Sequence, residues 1–199
     1  MRRHLVLFVR EPRYGQGKRR LARALGDAVA ARFAYRMLHL ALRRLGRNRR
    51  WRLRLAVTPD TACSRPRLWP RRVALRRQGG GDLGSRMHRA IAECPSGPVV
   101  LIGNDIPALG PSHIAEAFRL LGRHDIVFGP ATDGGFWLVG VRRRPRPSPG
   151  FGLVRWSSEH ALADALANLP THTSTELTAL LEDVDDADAY RRLAPRRGF

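Results

Sequence analysis

"PVVLIGND", residues 98–105, is the stretch on which the reading of the fold turns. Five apolar positions follow one another without alternation and run into a glycine and an acid. An apolar run this short, unbroken by polar residues, reads as a strand covered on both faces, the pattern of a parallel sheet. Its neighbours agree. Upstream, a short strand "VALRRQ" (73–78), the turn "GGGDLG" and a helix over 83–94 are expected. Downstream, "SHIAEAFRLLG" (112–122) reads as a helix from a Ser112 N-cap to Gly122. "DIVFGPA" and "GFWLVGV" read as strands on either side of Asp133 and Gly134.

Further out, "LVLFVR" (5–10) and "LRLAVTP" (53–59) are strands, the second closed by Pro59. Between them, "RRLARALGDAVAARFAYRMLHLALRRLG" puts Leu21, Leu25, Val29, Phe33 and Leu40 on one broad face and predicts a helix stopping at Gly46. Residues 60–72 and 142–150 are Pro- and Arg-rich and predict loops; helices are expected over 158–168, 174–182 and 186–193. Strands alternating with helices predict one α/β domain over residues 1–199, a mainly parallel twisted sheet with helices on both faces.

Composition narrows the class of protein. The 43% apolar content supports a proper core, and Cys63 and Cys94 have no paired spacing that would suggest a disulfide framework or a zinc site. The apolar run behind the basic N-terminus spans only Leu5 to Val9, too short for an export signal, and no stretch approaches the roughly 20 residues of a membrane span. A soluble cytoplasmic protein without membrane partners is the expectation. The net charge of +19 is concentrated: residues 1–80 hold 23 Lys and Arg against three acids, whereas the rest of the chain is nearly neutral. Arginines are not interleaved with stacking aromatics and no nucleic-acid motif is present, so nucleic acid is not the expected partner.

Ligands of open α/β sheets sit at the carboxyl ends of the strands. Three polar, glycine-bearing loops leave such ends here: "REPRYGQGK", "GND" and "GPATDGG". In the first, Gly15 and Gly17 precede Lys18, the only lysine of the chain, and the start of a helix. Glycines let the backbone approach a ligand, Lys18 supplies a compact charge and Arg20 a bidentate fork for phosphate oxygens. Neither G-x-x-x-x-G-K-[ST] nor G-x-G-x-x-G spacing occurs. Asp105 ends the central buried strand; a carboxylate there, facing phosphates, calls for a divalent cation such as Mg²⁺ or Mn²⁺. Asp183 and Asp185, two apart in "EDVDDAD", point to the same side of an extended segment and can converge with Asp105. Asp133 can bind hydroxyls, and Asp-Gly is also the usual pair of a type I′ hairpin turn.

"REPRYGQGKRRLA", "QGGGDLGSRM", "IGNDIPALGPSHIAEAF", "DIVFGPATDGGFWLVGV", "VRWSSEHAL" and "LEDVDDADAYRRL" resemble, in this order, the pattern of the DUF2064 family. Members are small glycosyltransferase-like proteins of the GT-A, nucleotide-diphospho-sugar transferase fold, some assigned to arsenosugar biosynthesis. The same fold includes nucleotidyltransferases of cofactor synthesis. The resemblance implies that the Gly15–Lys18–Arg20 loop embraces nucleotide phosphates, with Arg10, Pro12 and Gly17 also in the nucleotide or substrate site. It implies that Gln78, Gly81, Asp82 and Gly84 lie near the base or sugar, and that Asn104, Gly134 and Gly135 also line the substrate site. Asp105, Asp183 and Asp185 resemble the metal-holding acids. The family's usual Lys-Thr-Arg-Leu is Lys18-Arg19-Arg20-Leu21 here, Asn104 stands in place of Thr or Ser, and Phe136 in place of Tyr.

The implied reaction uses Lys18, Arg20 and a cation on Asp105 to stabilise charge on a departing phosphate, with Asp133 orienting the acceptor or taking its proton. A glycosyltransferase taking a nucleotide-diphospho-sugar and an unidentified small acceptor is the first expectation. A nucleotidyltransferase joining an NTP to a small phosphorylated acceptor, with release of pyrophosphate, is the second. A non-enzymatic nucleotide- or nucleic-acid-binding module is the third.

Overall fold

The computed structural model describes residues 2–65, 68–71, 73–142 and 151–193. Seven strands form one sheet: β1 (His4–Arg10), β2 (Arg52–Thr58), β3 (Ala74–Arg77), β4 (Val99–Ile102), β5 (Ile126–Pro130), β6 (Phe136–Val141) and β7 (Thr175–Leu177), in the order β3-β2-β1-β4-β6-β5-β7. The helices are α1 (Arg19–Leu25), α2 (Asp27–Leu45), α3 (Leu83–Ala92), α4 (Pro111–Leu120), α5 (Ala161–Ala167) and α6 (Ala187–Leu193). All strand pairs are parallel except those of β6, which runs antiparallel to both β4 and β5.

Strand residues alternate between two cores, as the period of two requires. Leu5, Leu7 and Val9 of β1 face a cluster shared with Leu38, Ala41 and Leu45 of α2 and Ile114, Ala117 and Phe118 of α4. Val6 of β1 faces the other side, with Met87, Ala90 and Ile91 of α3 and Ala161 and Ala165 of α5. A smaller cluster joins Leu21, Phe33 and Met37 to Val184 and Ala189, tying α1 and α2 to α6 and the segment before it. The arginines of α2 lie away from these cores: Arg32, Arg36 and Arg43 are exposed. No helix among the described residues is long and apolar enough to cross a membrane.

Several expectations need correction. The helix read from residue 19 to Gly46 is two helices, because Gly26 takes φ 87° and ψ 156°, a conformation open only to glycine, and serves as the end of α1 and the start of α2. The helix expected over 174–182 is absent. Thr175–Leu177 instead pairs in parallel with β5 as the edge strand β7. The "THTSTEL" run is rich in β-branched residues, which favours pairing with an open sheet edge over a helix. Ser112 does not cap α4; Gly110 does, its N–H donating to His113 Nδ1 at 3.1 Å. The segment 60–72 contains a short 3₁₀ turn, Asp60–Ser64. The loop expected over 142–150 lies, beyond Arg142, outside the described residues.

The antiparallel β6 matters for the site. Its first residue, Phe136, lies at the sheet edge where β1 and β4 end, since Leu138 pairs with Ile102 and Gly103 N–H donates to Trp137 O at 2.9 Å. The loop between β5 and β6 therefore joins the loops after β1 and β4 on one rim.

Candidate active site

The loop after β1 folds back on itself through a bridge between Arg13 and Gln16. Gly15 (φ 70°) and Gly17 (φ 80°) make the turn, and a Cβ at Gly17 would meet the Arg10 side chain at 3.1 Å. Lys18 ends the loop in the left-handed region at φ 44°, uncommon for a side-chain-bearing residue, and its carbonyl accepts from Ala22 N–H in the first turn of α1.

That backbone directs Lys18 inward, where its side chain is only 10% exposed. Nζ donates to Val184 O at 2.7 Å and to Asp185 Oδ1 at 2.7 Å, and lies 2.8 Å from Asp105 Oδ2. An ammonium has three donors, and these three oxygens take them all. The Phe33 ring packs 5.9 Å from the nitrogen. Burial by itself depresses the Lys18 pKa, but the charges and hydrogen bonds of Asp105 and Asp185 more than reverse this, so the group is held above its ordinary value. Lys18 is thus the pin between two distant carboxylates.

The acidic segment is fixed by the residue between its two acids. Val184 is fully buried, and its N–H donates to Asp105 O at 3.0 Å. Alternation along the extended chain then turns Asp183 and Asp185 outward together, as their spacing predicts. One oxygen each of Asp133, Asp183 and Asp185 lie within 4.8 Å of one another, so these three can hold a cation. The convergence predicted for Asp105 with the later pair is divided: Asp105 meets Asp185 through Lys18, while Asp133 completes the triad. Desolvation, reinforced by Asp185 and Asp133 and opposed by Lys18, pushes the Asp183 carboxyl up to about 6.

Asp133 is exposed in the β5–β6 connection, and its Oδ1 accepts from Gly135 N–H at 2.9 Å. The connection is not a two-residue type I′ turn. Five residues separate β5 from β6, and of the Asp133–Gly134 pair only Gly134 has positive φ, at 83°. A Cβ at Gly134 would lie 2.1 Å from Glu159 O, so the loop is pressed against the segment leading into α5.

These elements enclose a cleft of about 560 Å³. Of the residues singled out in the sequence, Arg10, Pro12, Gly17, Lys18, Arg20, Asn104, Asp105, Asp133, Gly135, Asp183 and Asp185 line it. Asn104 is 9% exposed, and its Oδ1 has no hydrogen-bond partner among the described residues, leaving an acceptor to offer a ligand. Gly15, Gln78, Gly81, Asp82, Gly84 and Gly134 do not line the cleft. Gln78 is buried behind it, donating to Val9 O at 3.2 Å and Ala56 O at 2.9 Å. Asp82 caps α3 by accepting from Ser85 N–H at 2.8 Å, and the Ser85 side chain and backbone together hold its carboxyl below the ordinary range.

The sequence reading missed Glu11, Phe8, Leu83, Met87 and Trp156 as lining residues. Glu11 is buried on the rim between Arg13 and Arg65, each 2.8 Å away. The only signals were an acid next to the first strand and a tryptophan inside the "VRWSSEHAL" motif, to which no role was attached.

A family model described as "uncharacterized protein conserved in bacteria (DUF2064)" matches residues 41–158, and the chain belongs to that family, as its motifs imply. No curated protein matches the chain. Among solved structures, a protein from Desulfovibrio desulfuricans G20, provisionally described as a nucleotide-diphospho-sugar transferase, is 25% identical with a TM-score of 0.82, the match covering 94% of this chain and 84% of that one. Rv0371c of Mycobacterium tuberculosis H37Rv, solved as a complex with manganese, is 18% identical over 96% of each chain, with a TM-score of 0.55. The inositol-1-phosphate CTP transferase of T. maritima is 15% identical, covers 95% of this chain and 91% of its own, and has a TM-score of 0.54. The chain has the GT-A-like α/β fold common to these proteins.

Proposed function

We propose that the protein is a metal-dependent nucleotidyltransferase that joins an NTP to a small phosphorylated acceptor and releases pyrophosphate. One observation carries this reading: a single cleft holds Arg10, Arg19 and Arg20, which flank the loop between β1 and α1, together with the convergent carboxylates of Asp133, Asp183 and Asp185. A ligand that satisfies both is polyanionic and brings a divalent cation, as a chelated nucleoside triphosphate does. The three acids are hard oxygen donors at a spacing that suits Mg²⁺ or Mn²⁺, and the manganese complex of the Rv0371c fold relative supports the same kind of ion. Bound there, a divalent cation would help neutralise the charge that builds on the departing phosphates.

The chain's own residues do the rest. Arg10 and Arg20 offer paired N–H donors to the β- and γ-phosphates. Lys18 reaches a phosphate oxygen only in exchange for one of its three bonds, to Val184 O, Asp185 or Asp105, so its first task is to hold the two acids in place. An oxygen of the acceptor phosphate attacks the α-phosphorus. The bond from that phosphorus to the bridging oxygen breaks, and pyrophosphate leaves with the electron pair, its charge met by the arginines. An ionised acceptor phosphate needs no base.

The likeness to the D. desulfuricans protein favours a second reading, glycosyl transfer from a nucleotide-diphospho-sugar. The acceptor would then be a hydroxyl, Asp133 at the rim would take its proton, and a nucleoside diphosphate would leave. Incubation with each common NTP, Mg²⁺ or Mn²⁺ and a panel of phosphorylated acceptors decides between them. The expected outcome is acceptor- and metal-dependent pyrophosphate release, reduced about 100-fold in Asp133→Asn, the size of effect seen when one group stabilising transition-state charge is lost. Nucleoside diphosphate release from a nucleotide sugar, without pyrophosphate, would establish the second reading. Neither product, with no thermal stabilisation by any nucleotide, would overturn both.

A further inference from the structure

Besides its charged groups the cleft is lined by an apolar wall of Phe8, Leu83, Met87, Phe136 and Trp156, all packed on the core between the sheet, α3 and α5. The wall is built rather than incidental. Phe136 stacks on Phe151 at 6.3 Å with an interplanar angle of 11°, and Trp156 meets both edge-on at 6.1 and 5.9 Å. Trp156 is seated by the "GGGDLG" motif: its Nε1 donates to Asp82 Oδ2 at 3.3 Å, and the ring lies so close over Gly84 that a Cβ there would come within 2.7 Å of Cζ2. Ser157, the next residue, lines the cleft at φ 62°, a strained conformation that sets the direction of the chain beside the ring.

Asp82 and Gly84 do not line the cleft themselves. They are positioning residues for Trp156. The wall's one polar group, the indole N–H, is already used on Asp82. A nucleobase is selected by hydrogen bonds along its edge, which these five side chains do not supply; an apolar ring asks only for contact area.

We propose that this wall binds the acceptor, and that the acceptor is a phosphorylated compound whose body is an apolar, ring-shaped group. The proposal rests on the transferase reading above, and it goes beyond it by naming the acceptor's class. The ring lies against Trp156 and Phe136, and the phosphate reaches toward the arginines and the acid triad.

Phenyl phosphate and glycerol 3-phosphate carry the same charged group on an aromatic and a polar body, and serve as probes. Their affinities for the full chain are measured calorimetrically with Mg²⁺, alone and in the presence of each common NTP. Phenyl phosphate is expected to bind at least tenfold more tightly than glycerol 3-phosphate. Trp156→Leu is expected to remove that preference while leaving NTP affinity within twofold. Trp156→Phe keeps an aromatic plate and retains the preference, which separates loss of contact from loss of folding. Gly84→Ala, whose Cβ would press on the indole at 2.7 Å and on Phe151 O at 2.8 Å, is expected to shift both residues and weaken phenyl phosphate, whereas Gly80→Ala, where a Cβ meets nothing within 4 Å, leaves it unchanged.

Equal affinities for the two probes, or a preference that survives Trp156→Leu, would overturn the proposal. So would competition between phenyl phosphate and NTP together with an NTP affinity that falls in Trp156→Leu, a result that assigns the wall to the nucleobase. NTP binding to the wild type is read separately. Its absence defeats the transferase reading itself and takes the acceptor assignment with it.

Discussion

Replacing Lys18 by methionine lowers the melting temperature by about 4–8 °C, the shift that a loss of about 2 kcal/mol produces in a chain of this size. Methionine keeps the length of the stem and its packing on Phe33 but removes the ammonium. Asp105 and Asp185 then face each other, with Asp183 and Asp133 close by, and no cation among them. Breaking a fully buried pair costs about 3–5 kcal/mol. Here Lys18 is 10% exposed but Asp105 and Asp185 are 42% and 50% exposed, and solvent reaching the carboxylates reduces the figure to about 2. Millimolar Mg²⁺ or Mn²⁺ is expected to recover more of the melting temperature in this variant than it adds to the wild type, because a cation that binds the folded acids stabilises by mass action. Lys18→Arg is expected to resemble Lys18→Met. A planar guanidinium cannot direct three tetrahedrally arranged donors onto Val184 O, Asp185 and Asp105 from one point. Thermal denaturation of the three proteins with and without metal checks this, and a shift under 1 °C in Lys18→Met would reduce the lysine to a surface charge. The same geometry accounts for a single lysine in a chain that otherwise uses only arginine.

Much of this arrangement is legible in the sequence where chemistry is local. The buried run 98–102 specifies the central strand, and its acid falls on the ligand-binding rim because strand ends do. Asp183 and Asp185 share a side because Val184 between them has a core to enter. What is not legible is which distant groups meet. Lys18 read as a phosphate ligand from its loop alone, since nothing near residue 18 announces that Asp105 and Asp185 will take its donors. Trp156 likewise has no local sequence signal, because its partners Gly84 and Asp82 lie far away in the chain, Asp82 by 74 residues. The strand β7 was hidden for a related reason: its three residues are exposed, so no apolar pattern marks them, and only the open edge of β5 draws them into the sheet. The break at Gly26 has a visible cause, one glycine before an acid, but helical spacing continues across it and masks the change of direction.

Asp183→Asn is expected to make the metal-free protein more stable above pH 6 while abolishing its response to Mg²⁺ or Mn²⁺. Burial, with Asp185 and Asp133 nearby, raises the Asp183 carboxyl from 3.8 to about 6 in the folded chain. The sign runs opposite to that of a salt-bridged acid. Between about pH 4 and 6 the folded state holds a proton that the unfolded state has released, so the contribution of this group to stability falls as pH rises and is at its most unfavourable above 6. A shift of that size is worth roughly 3 kcal/mol for a dry site. Discounting for the solvent that still reaches the group leaves about 1 kcal/mol. The amide carries no charge, so the variant should melt about 2–4 °C above the wild type at pH 7.5 and level with it near pH 4. A divalent cation reverses the order, since it needs the ionised carboxylate and stabilises only the wild type. Melting curves across this pH range, with and without metal, read both effects at once. A variant that is less stable than the wild type at pH 7.5 without metal would show Asp183 to be a structural acid. The expected crossing of the two curves on adding metal would show a carboxylate kept at a cost to stability, which is what a cation-binding acid in a nucleotide cleft requires.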